Sequence, residues 1–403
     1  MYIEYSKDVL RYLNSQELID SLDHAATAMK EGNHIICTEK DEMALTISDT
    51  MSTVSKKVAN CFRKLYDSYS IFASVRKQVC LYIKIIPGRN ICVREGNCIK
   101  VSIDRTSKST FWQKTNLILE HSDEAQYYES IIKQFDFDIC PNYTTTLGGG
   151  ATIAEQLDNY NNGFNIVLCI SDSDKKCPGP IDGQCRVHPS KPCTASYLGK
   201  TARDLIDARN RASAICHVEI LKVREIENLF FSKEILHDLA ENDATKRSIE
   251  HVLELADTID PNIWSVFDVK SGFLFQSIRK NIFLKNVFSY SVSTCPNMDN
   301  AICSKCVSCP RCDASSEYIM PIECKKYRTP DGIEKNVTCR NCSSIVVRGL
   351  GKQYLEDLCE RNFMTRISSY FESFPQYLKD EWRRIAYIIV SWCCGEKLEA
   401  LGA

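Results

Sequence analysis

An α/β fold, a parallel sheet flanked by helices, is what this sequence predicts for its middle third, with an N-terminal α+β region before it and a zinc ribbon set within helical segments after it. Three observations lead there. Between residues 115 and 231 short apolar runs alternate with segments of helical period, the order that a parallel sheet requires. Upstream, β-type runs follow helical ones without alternating. Downstream, paired cysteines interrupt an otherwise helical pattern.

Residues 7–30 place apolar side chains at helical spacing, with Gly32 as a stop, and a second helical stretch runs from about Ser55 to Phe72. The period then changes. VCLYIKII, NICV and CIKVSI are short β-type runs separated by the turn sequences PGR and EGN, which closes an α+β domain over residues 1–114. Its cysteines, Cys61, Cys80, Cys92 and Cys98, lack C-x-x-C spacing and read as small apolar core residues.

The domain at 115–231 opens with NLILE as a strand and DEAQYYESIIKQF as an amphipathic helix. NYTTTL is the second strand, followed by Gly148, Gly149 and Gly150 and a helix from Ile153 to about Tyr160. FNIVLCI, the most apolar run, is the third strand and belongs in the centre of the sheet. KTARDLIDARNRAS is helical, and AICHVEIL is a fourth strand leading into REIENLFF. A helical segment at 232–294 is broken at Pro261. Residues 295–345 are cysteine-rich and hairpin-like, and 346–403 return to helix.

Ligands of α/β sheets gather beyond the carboxyl ends of the strands, and acidic residues stand there in this sequence. Glu120 closes the first strand. Glu124 lies four residues later, on the same face of the helix that begins there, and Asp172 and Asp174 follow the third strand. Alternation along an extended chain sends Asp172 and Asp174 to one side. Clustered carboxylates repel one another without cations, and hard oxygen ligands suit Mg2+ or Mn2+, which lower the pKa of water and neutralise charge on a phosphate. Each motif alone also reads plainly: LEHSDE as a helix start that favours acids, and DSD as a turn after a buried strand.

In combination, Glu120 with Glu124, Leu147-Gly148-Gly149-Gly150, Asp172-Ser173-Asp174 and Arg224-Glu225-Ile226-Glu227-Asn228 resemble the Toprim domain, specifically the nucleases of the OLD family and small Toprim effectors of bacterial antiphage defence. The resemblance covers roughly residues 116–231. It implies that Glu120, Glu124, Asp172 and Asp174 are metal ligands or proton-transfer groups, with Asp123 a further acidic candidate and Glu227 completing a catalytic site for phosphodiester cleavage. Glu225 is equally well read as the exposed start of an amphipathic helix. The three glycines admit two readings, a backbone approach to phosphate or a plain tight turn. A topoisomerase would need a nucleophilic tyrosine and a gate domain, and a primase a larger polymerising core. A nucleotidyl-transferring enzyme would need a nucleoside-triphosphate pocket, for which no motif stands. Gly199-Lys200-Thr201 lacks the glycine loop of an ATPase, so the ATPase that OLD proteins commonly carry would be a separate partner here.

Two cysteine clusters carry metal-ligand spacing. Cys309-x-x-Cys312 and Cys339-x-x-Cys342, 26 residues apart, have the spacing of a zinc ribbon, in which four thiolates replace a hydrophobic core; Cys303 and Cys306 overlap the first pair and leave its choice open. Lys325, Lys326, Arg328 and Arg340 would let the ribbon contact nucleic acid. Cys177, Cys185, His188 and Cys193 form a second set in a proline-rich loop, readable as a zinc clip or as free thiols, beside Lys175, Lys176, Arg186 and Lys191.

Composition bounds the partners. The 403 residues are too many for one usual domain and predict two to four. With 44% hydrophobic and 25% charged residues the chain is expected to fold. Lys and Arg total 50 against 52 Asp and Glu, so a net charge of −2 gives no general attraction to nucleic acid, and binding would need local basic patches. No stretch reads as a leader or a membrane span, and the 22 cysteines fit a reducing compartment, so a cytoplasmic protein with no membrane partner is expected. The sequence thus predicts a Mg2+- or Mn2+-dependent Toprim endonuclease acting on DNA or RNA, with a separate ATPase or sensor and a further copy of the chain as admissible partners. The alternative is a zinc-ribbon nucleic-acid-binding or regulatory adaptor whose Toprim domain is inactive.

Overall fold

Short alternating and fully apolar runs dictate strands here, and the most N-terminal of them is easily overlooked. In the computed structural model, which describes residues 1–121, 123–176, 198–239, 261–274, 326–328, 334–336, 345–351, 353–360 and 363–395, the chain falls into two compact units. Unit 1 holds Met1–Asp172, Lys200–Leu221 and Leu378–Ala403; unit 2 holds Ser173–Gly199 and Lys222–Tyr377.

Unit 1 contains two sheets. Strand β1 (Tyr2–Tyr5) buries Ile3 and Tyr5 completely, while Glu4 on the opposite face keeps some exposure. Helix α1 (Gln16–Lys30) starts where the Ser15 hydroxyl accepts the Leu18 N–H, and its buried Leu18, Leu22, Ala25 and Met29 recur at helical spacing. Gly32 follows it at φ +68 in the left-handed region that glycine tolerates. Strand β2 (Ile35–Thr38), helices α2 (Asp41–Met51), α3 (Lys56–Asp67) and α4 (Tyr69–Val75), and strands β3 (Tyr82–Ile86), β4 (Cys92–Glu95) and β5 (Cys98–Ser102) complete the first sheet. Its order is β2-β1-β3-β5-β4, parallel throughout except for the β4–β5 pair. This corrects the α+β expectation for 1–114: with β1 and β2 present the region is a mostly parallel α/β layer, since two four-residue strands are too short to announce themselves by period. Of the four cysteines expected in its core only Cys98 is buried; Cys61 and Cys92 are half-buried and Cys80 is exposed.

The second sheet follows a short helix α5 (Ile103–Thr106). It is built from β6 (Thr115–Leu119), β8 (Tyr143–Leu147), β9 (Val167–Ser171) and β10 (Cys216–Ile220), with helices α6 (Glu124–Ile132), α7 (Ile153–Tyr160) and α8 (Lys200–Arg211) between them. The order is β10-β9-β6-β8 and every pairing is parallel. Strand β9, buried at all five positions, is internal as its apolar run requires. The two-residue strand β7 (Cys140–Pro141) pairs antiparallel with Cys394–Gly395, which brings the chain's far end into this unit. Ahead of that pairing, the last helix (Gln376–Cys393) buries Trp382, Ile385, Ile389 and Trp392, and the Trp392 carbonyl accepts the Thr115 hydroxyl at 2.6 Å. Residues 346–403, read from sequence as one helical segment, are therefore divided: from Leu378 onward they belong to unit 1.

Unit 2 packs Phe231, Trp264 and Phe267 with ring centroids 5.2–5.6 Å apart. REIENLFF forms a 3-10 helix over Ile226–Phe230, and helix α9 (Lys233–Leu239) follows. Pro261 begins another 3-10 turn (Pro261–Val266). Strand β11 (Gly272–Leu274) pairs antiparallel with Ile345–Arg348, and Lys326–Arg328 pairs antiparallel with Glu334–Asn336. Helices Tyr354–Glu360 and Phe363–Phe371 complete the described part of the unit. Among the described residues no helix is long and apolar enough to cross a membrane.

Candidate carboxylate site

The parallel register of β6 and β9 brings their carboxyl ends side by side, and the residues just beyond them meet. Glu120, one position past β6, accepts two neutral donors through Oε1: the Ser171 hydroxyl at 2.6 Å and the Asp172 backbone N–H at 3.1 Å. Glu120 and Asp172, 52 residues apart in sequence, are thus adjacent at one rim of the sheet.

Glu124 is the first residue of α6 and is 5% exposed. Its position is favoured by the positive end of the helix dipole, so the plain reading of an acid at a helix start applies to it as well. Asp123, at the N-cap position, is exposed and makes no side-chain cap bond. One helical turn beyond Glu124, on the same face, stands Tyr128, 1% exposed. Burial first, and then the charges of Glu124, Asp172, Glu120 and Glu381, push its hydroxyl well above the usual phenol range. Cys169 in β9 is pushed up in the same way, by burial and then by Glu120 and Glu124. Three of the acids expected from sequence, Glu120, Glu124 and Asp172, therefore share one electrostatic neighbourhood.

Glu381 was not foreseen. It sits 2% exposed in the last helix, where the Arg384 guanidinium holds both its oxygens at 2.6 and 2.7 Å. Arg384 also pairs with Glu219 of β10, which accepts His217 at 3.1 Å. Burial pushes the Glu219 carboxyl up, but the His217 hydrogen bond and the Arg384 charge outweigh it and hold the group below the usual carboxylate range. Glu381 thus enters the neighbourhood already neutralised, whereas the two donors to Glu120, a hydroxyl and a backbone N–H, are uncharged. Nothing in EWRR marks Glu381 out in sequence.

The glycines are explained by backbone approach. Gly148 N–H donates to the Leu119 carbonyl at 2.6 Å and Gly149 N–H to the Glu120 carbonyl at 3.2 Å. A Cβ at Gly148 would stand 2.8 Å from the Leu119 oxygen, and Gly149 has φ +69. These two N–H groups hold the Glu120 segment in place and are not offered to a phosphate, so the tight-turn reading stands for them.

The remaining expected acids lie in unit 2, because the division of the chain falls between Asp172 and Ser173. Extended alternation does not continue to Asp174: this residue has φ +48, in the left-handed region, and its N–H and that of Ser173 both donate to the Arg224 carbonyl, at 2.9 and 3.0 Å. A Cβ at Gly199 would collide with the Asp174 side chain, which gives that glycine its reason. Glu225 is no exposed helix start. It is buried and caps the 3-10 helix reciprocally with Asn228, whose amide also bridges the Trp264 and Phe267 carbonyls. Glu227, 4% exposed, pairs with Lys270 at 2.9 Å, and Arg224 pairs with Glu225 and Asp268. Burial is the main cause that raises the Glu225 carboxyl. The second oxygens of Glu225 and Glu227 have no hydrogen-bond partner among the described residues.

In kind, the carboxylate oxygens of unit 1 are donors that suit a hard divalent cation. As the side chains stand, no group of three or more His, Cys, Asp or Glu among the described residues is arranged to hold a metal ion. The ribbon cysteines Cys309, Cys312, Cys339 and Cys342, and the set Cys177, Cys185, His188 and Cys193, lie outside the described residues. Comparison with known proteins finds no matching family model, no curated protein and no solved structure.

Proposed function

From carboxylates convergent on one sheet rim, we propose that this chain is a metal-dependent phosphodiester-cleaving enzyme of the Toprim type, acting on DNA or RNA, with a role in antiphage defence. The observation that carries the reading is the hydrogen bond from the Asp172 N–H to Glu120 Oε1 beyond the carboxyl ends of β6 and β9, with the charge of Glu124, at the start of α6, acting on the same buried Tyr128 and Cys169 as that of Glu120. These three carboxylates would hold Mg2+ or Mn2+, which when bound neutralises phosphate charge and activates water. The chain's own part is to orient those oxygens: Ser171 and the Asp172 N–H fix one oxygen of Glu120, and the Gly148 and Gly149 N–H groups fix its backbone. Asp174 and Glu227 enter the proposal through the resemblance alone, and a separate ATPase or sensor and the cytoplasm are its expected partner and setting.

The test is cleavage of labelled DNA and RNA by the full chain with Mg2+ or Mn2+ and with chelator. Glu120→Gln and Asp172→Asn should each lower the rate by roughly two to three orders of magnitude, the several kcal/mol that metal-assisted charge stabilisation supplies. Unchanged cleavage by both variants would refute the assignment. The zinc ribbon is part of the same proposal, and elemental analysis of the purified chain should return at least one zinc per molecule; a chain without zinc has no ribbon. A nucleic-acid-binding adaptor with an inactive domain remains the second reading, favoured by the lack of a ready-made ligand group among the described residues.

A further inference from the structure

A strand at the edge of a sheet turns every second backbone N–H and C=O outward, and folded chains close such edges with charge, proline or a covering group. The two sheets of unit 1 have an edge on either side, at β2 and β4 and at β10 and β8. On β2 the Tyr69 hydroxyl donates to the Thr38 carbonyl at 3.1 Å. On β4 the exposed residues include Arg94 and Glu95, and Glu95 pairs with Lys100. On β10 the Arg384 guanidinium reaches the Ile220 carbonyl at 3.4 Å. Strand β8 differs from all of these. Its sequence, YTTTL, holds neither charge nor proline, Thr144, Thr145 and Leu147 are exposed, and among the described residues nothing bonds to the backbone on its outer side. Alternation decides which groups face outward: Gly148 N–H donates to the Leu119 carbonyl at the end of β6. Thr146 and Thr144, two and four residues earlier, therefore turn their backbone groups to β6 as well, and Tyr143, Thr145 and Leu147 turn theirs away from it.

We propose that β8 is a dimerisation edge: it pairs antiparallel with the β8 of a second copy of this chain about a two-fold axis at Thr145, joining two four-stranded sheets into one. A two-fold axis makes the strands antiparallel and sets the sequence against its own reverse. Thr145 then faces Thr145, Thr144 faces Thr146, and Leu147, 56% exposed in the single chain, faces the half-buried Tyr143 of the second copy. The outward groups of Tyr143, Thr145 and Leu147 meet donor to acceptor, in about six backbone hydrogen bonds. Threonine beside threonine and an aliphatic side chain beside an aromatic ring are favourable cross-strand pairs, and no like charges meet within the strand. A second copy brings a tyrosine to Leu147 at both ends at once, which a strand of unrelated sequence has no reason to do. Pairing stops at two copies, because each edge is then used up. It needs no metal, so it stands or falls apart from the reading of the carboxylate site.

The experiment is sedimentation velocity of the full chain over roughly 1–100 µM, with hydrogen exchange of the β8 amides at both ends of that range. Thr145→Pro removes an outward N–H and leaves the ladder to β6 intact, the one kind of place where an edge strand admits proline. Thr145→Lys sets two like charges opposite each other across the axis, and Thr145→Val keeps both backbone and shape. Wild type and Thr145→Val should form a dimer, with the Thr145 amide exchanging more slowly at high concentration. Thr145→Pro and Thr145→Lys should raise the dissociation constant at least about tenfold. Urea unfolding shows whether each variant is folded; if proline lowers the midpoint, Thr145→Lys decides. A wild type that stays monomeric, a species larger than a dimer, a dimer without added protection in β8, or a dimer that Thr145→Lys leaves equally tight would each overturn the proposal.

Discussion

The two sheets of unit 1 are built alike and both match charge with charge, at Lys84 in the first and at Arg384 in the second, but at Glu120 the second departs from this. In the first sheet Lys84 and Lys100 meet carboxylates, and the buried His34 is kept neutral. Lys84 of β3 stands 3.6 Å from Glu4 of β1 and 3.4 Å from Glu39, just beyond β2, and Lys100 of β5 pairs with Glu95 of β4 at 2.6 Å. In the second sheet Glu120 is held by a hydroxyl and a backbone N–H, with further carboxylates around it. A structural charge is placed so that a neighbour cancels it, as Lys84 does for Glu4 and Glu39.

The largest effect that would sharpen this contrast comes from His34, which precedes β2. It is fully buried, its Nε2 has no partner, and burial first, then the N-terminal ammonium 3.3 Å from Nδ1, hold it well below the ordinary imidazole range. Folded chain therefore carries His34 neutral, while unfolded chain takes up a proton as pH falls below about 6.5. Stability is complete above that pH and declines below it, since the unfolded state then binds the extra proton. At pH 5 the loss from this group is at most about 2 kcal/mol relative to pH 7. Urea unfolding at pH 5, 6 and 7 should show this decline in wild type and a flatter profile in His34→Gln. Equal profiles would mean that the first sheet tolerates a buried charge, and the contrast with the second would lose its basis.

What the sequence revealed follows the same physics. Strands β6, β9 and β10 were legible because runs such as NIVLCI are apolar beyond any helical period, and the placing of Glu120 beside Asp172 followed from the rule that parallel strands open their sites at the carboxyl ends. Strands β1 and β2 were not legible. YIEY reads as alternation too short to count, and its burial depends on chain ends that close over it from almost 400 residues away, through the Met1 ammonium bonded to the Cys394 carbonyl at 2.6 Å. Asp174 was misplaced because DSD looks extended, while its left-handed backbone is imposed by the Arg224 carbonyl, 50 residues on. Glu225 looked like an exposed helix start and is a buried cap, since only the tertiary structure supplies the Asn228 and aromatic surroundings that enclose it. Glu381 carries no motif at all; its place near these acids arises from packing alone.

The contrast itself can be broken by a pair of substitutions, smaller in effect and opposite in sign. Removing the cation of the first sheet with Lys84→Met leaves Glu4 and Glu39 facing each other, both partly screened, and should lower stability by about 1–2 kcal/mol. In the second sheet Glu120→Gln keeps an oxygen able to accept Ser171 and the Asp172 N–H while removing one of the clustered negative charges, so without divalent cation it should raise stability by up to ~1 kcal/mol. Urea denaturation of both variants in chelator, beside wild type, gives the two signs directly. Adding Mn2+ should stabilise wild type and do less for Glu120→Gln, because an ion that binds only the folded chain shifts the equilibrium by its affinity. Were Glu120→Gln to lose stability in chelator, Glu120 would be a structural acceptor like Glu225, and the second sheet would handle its charges no differently from the first.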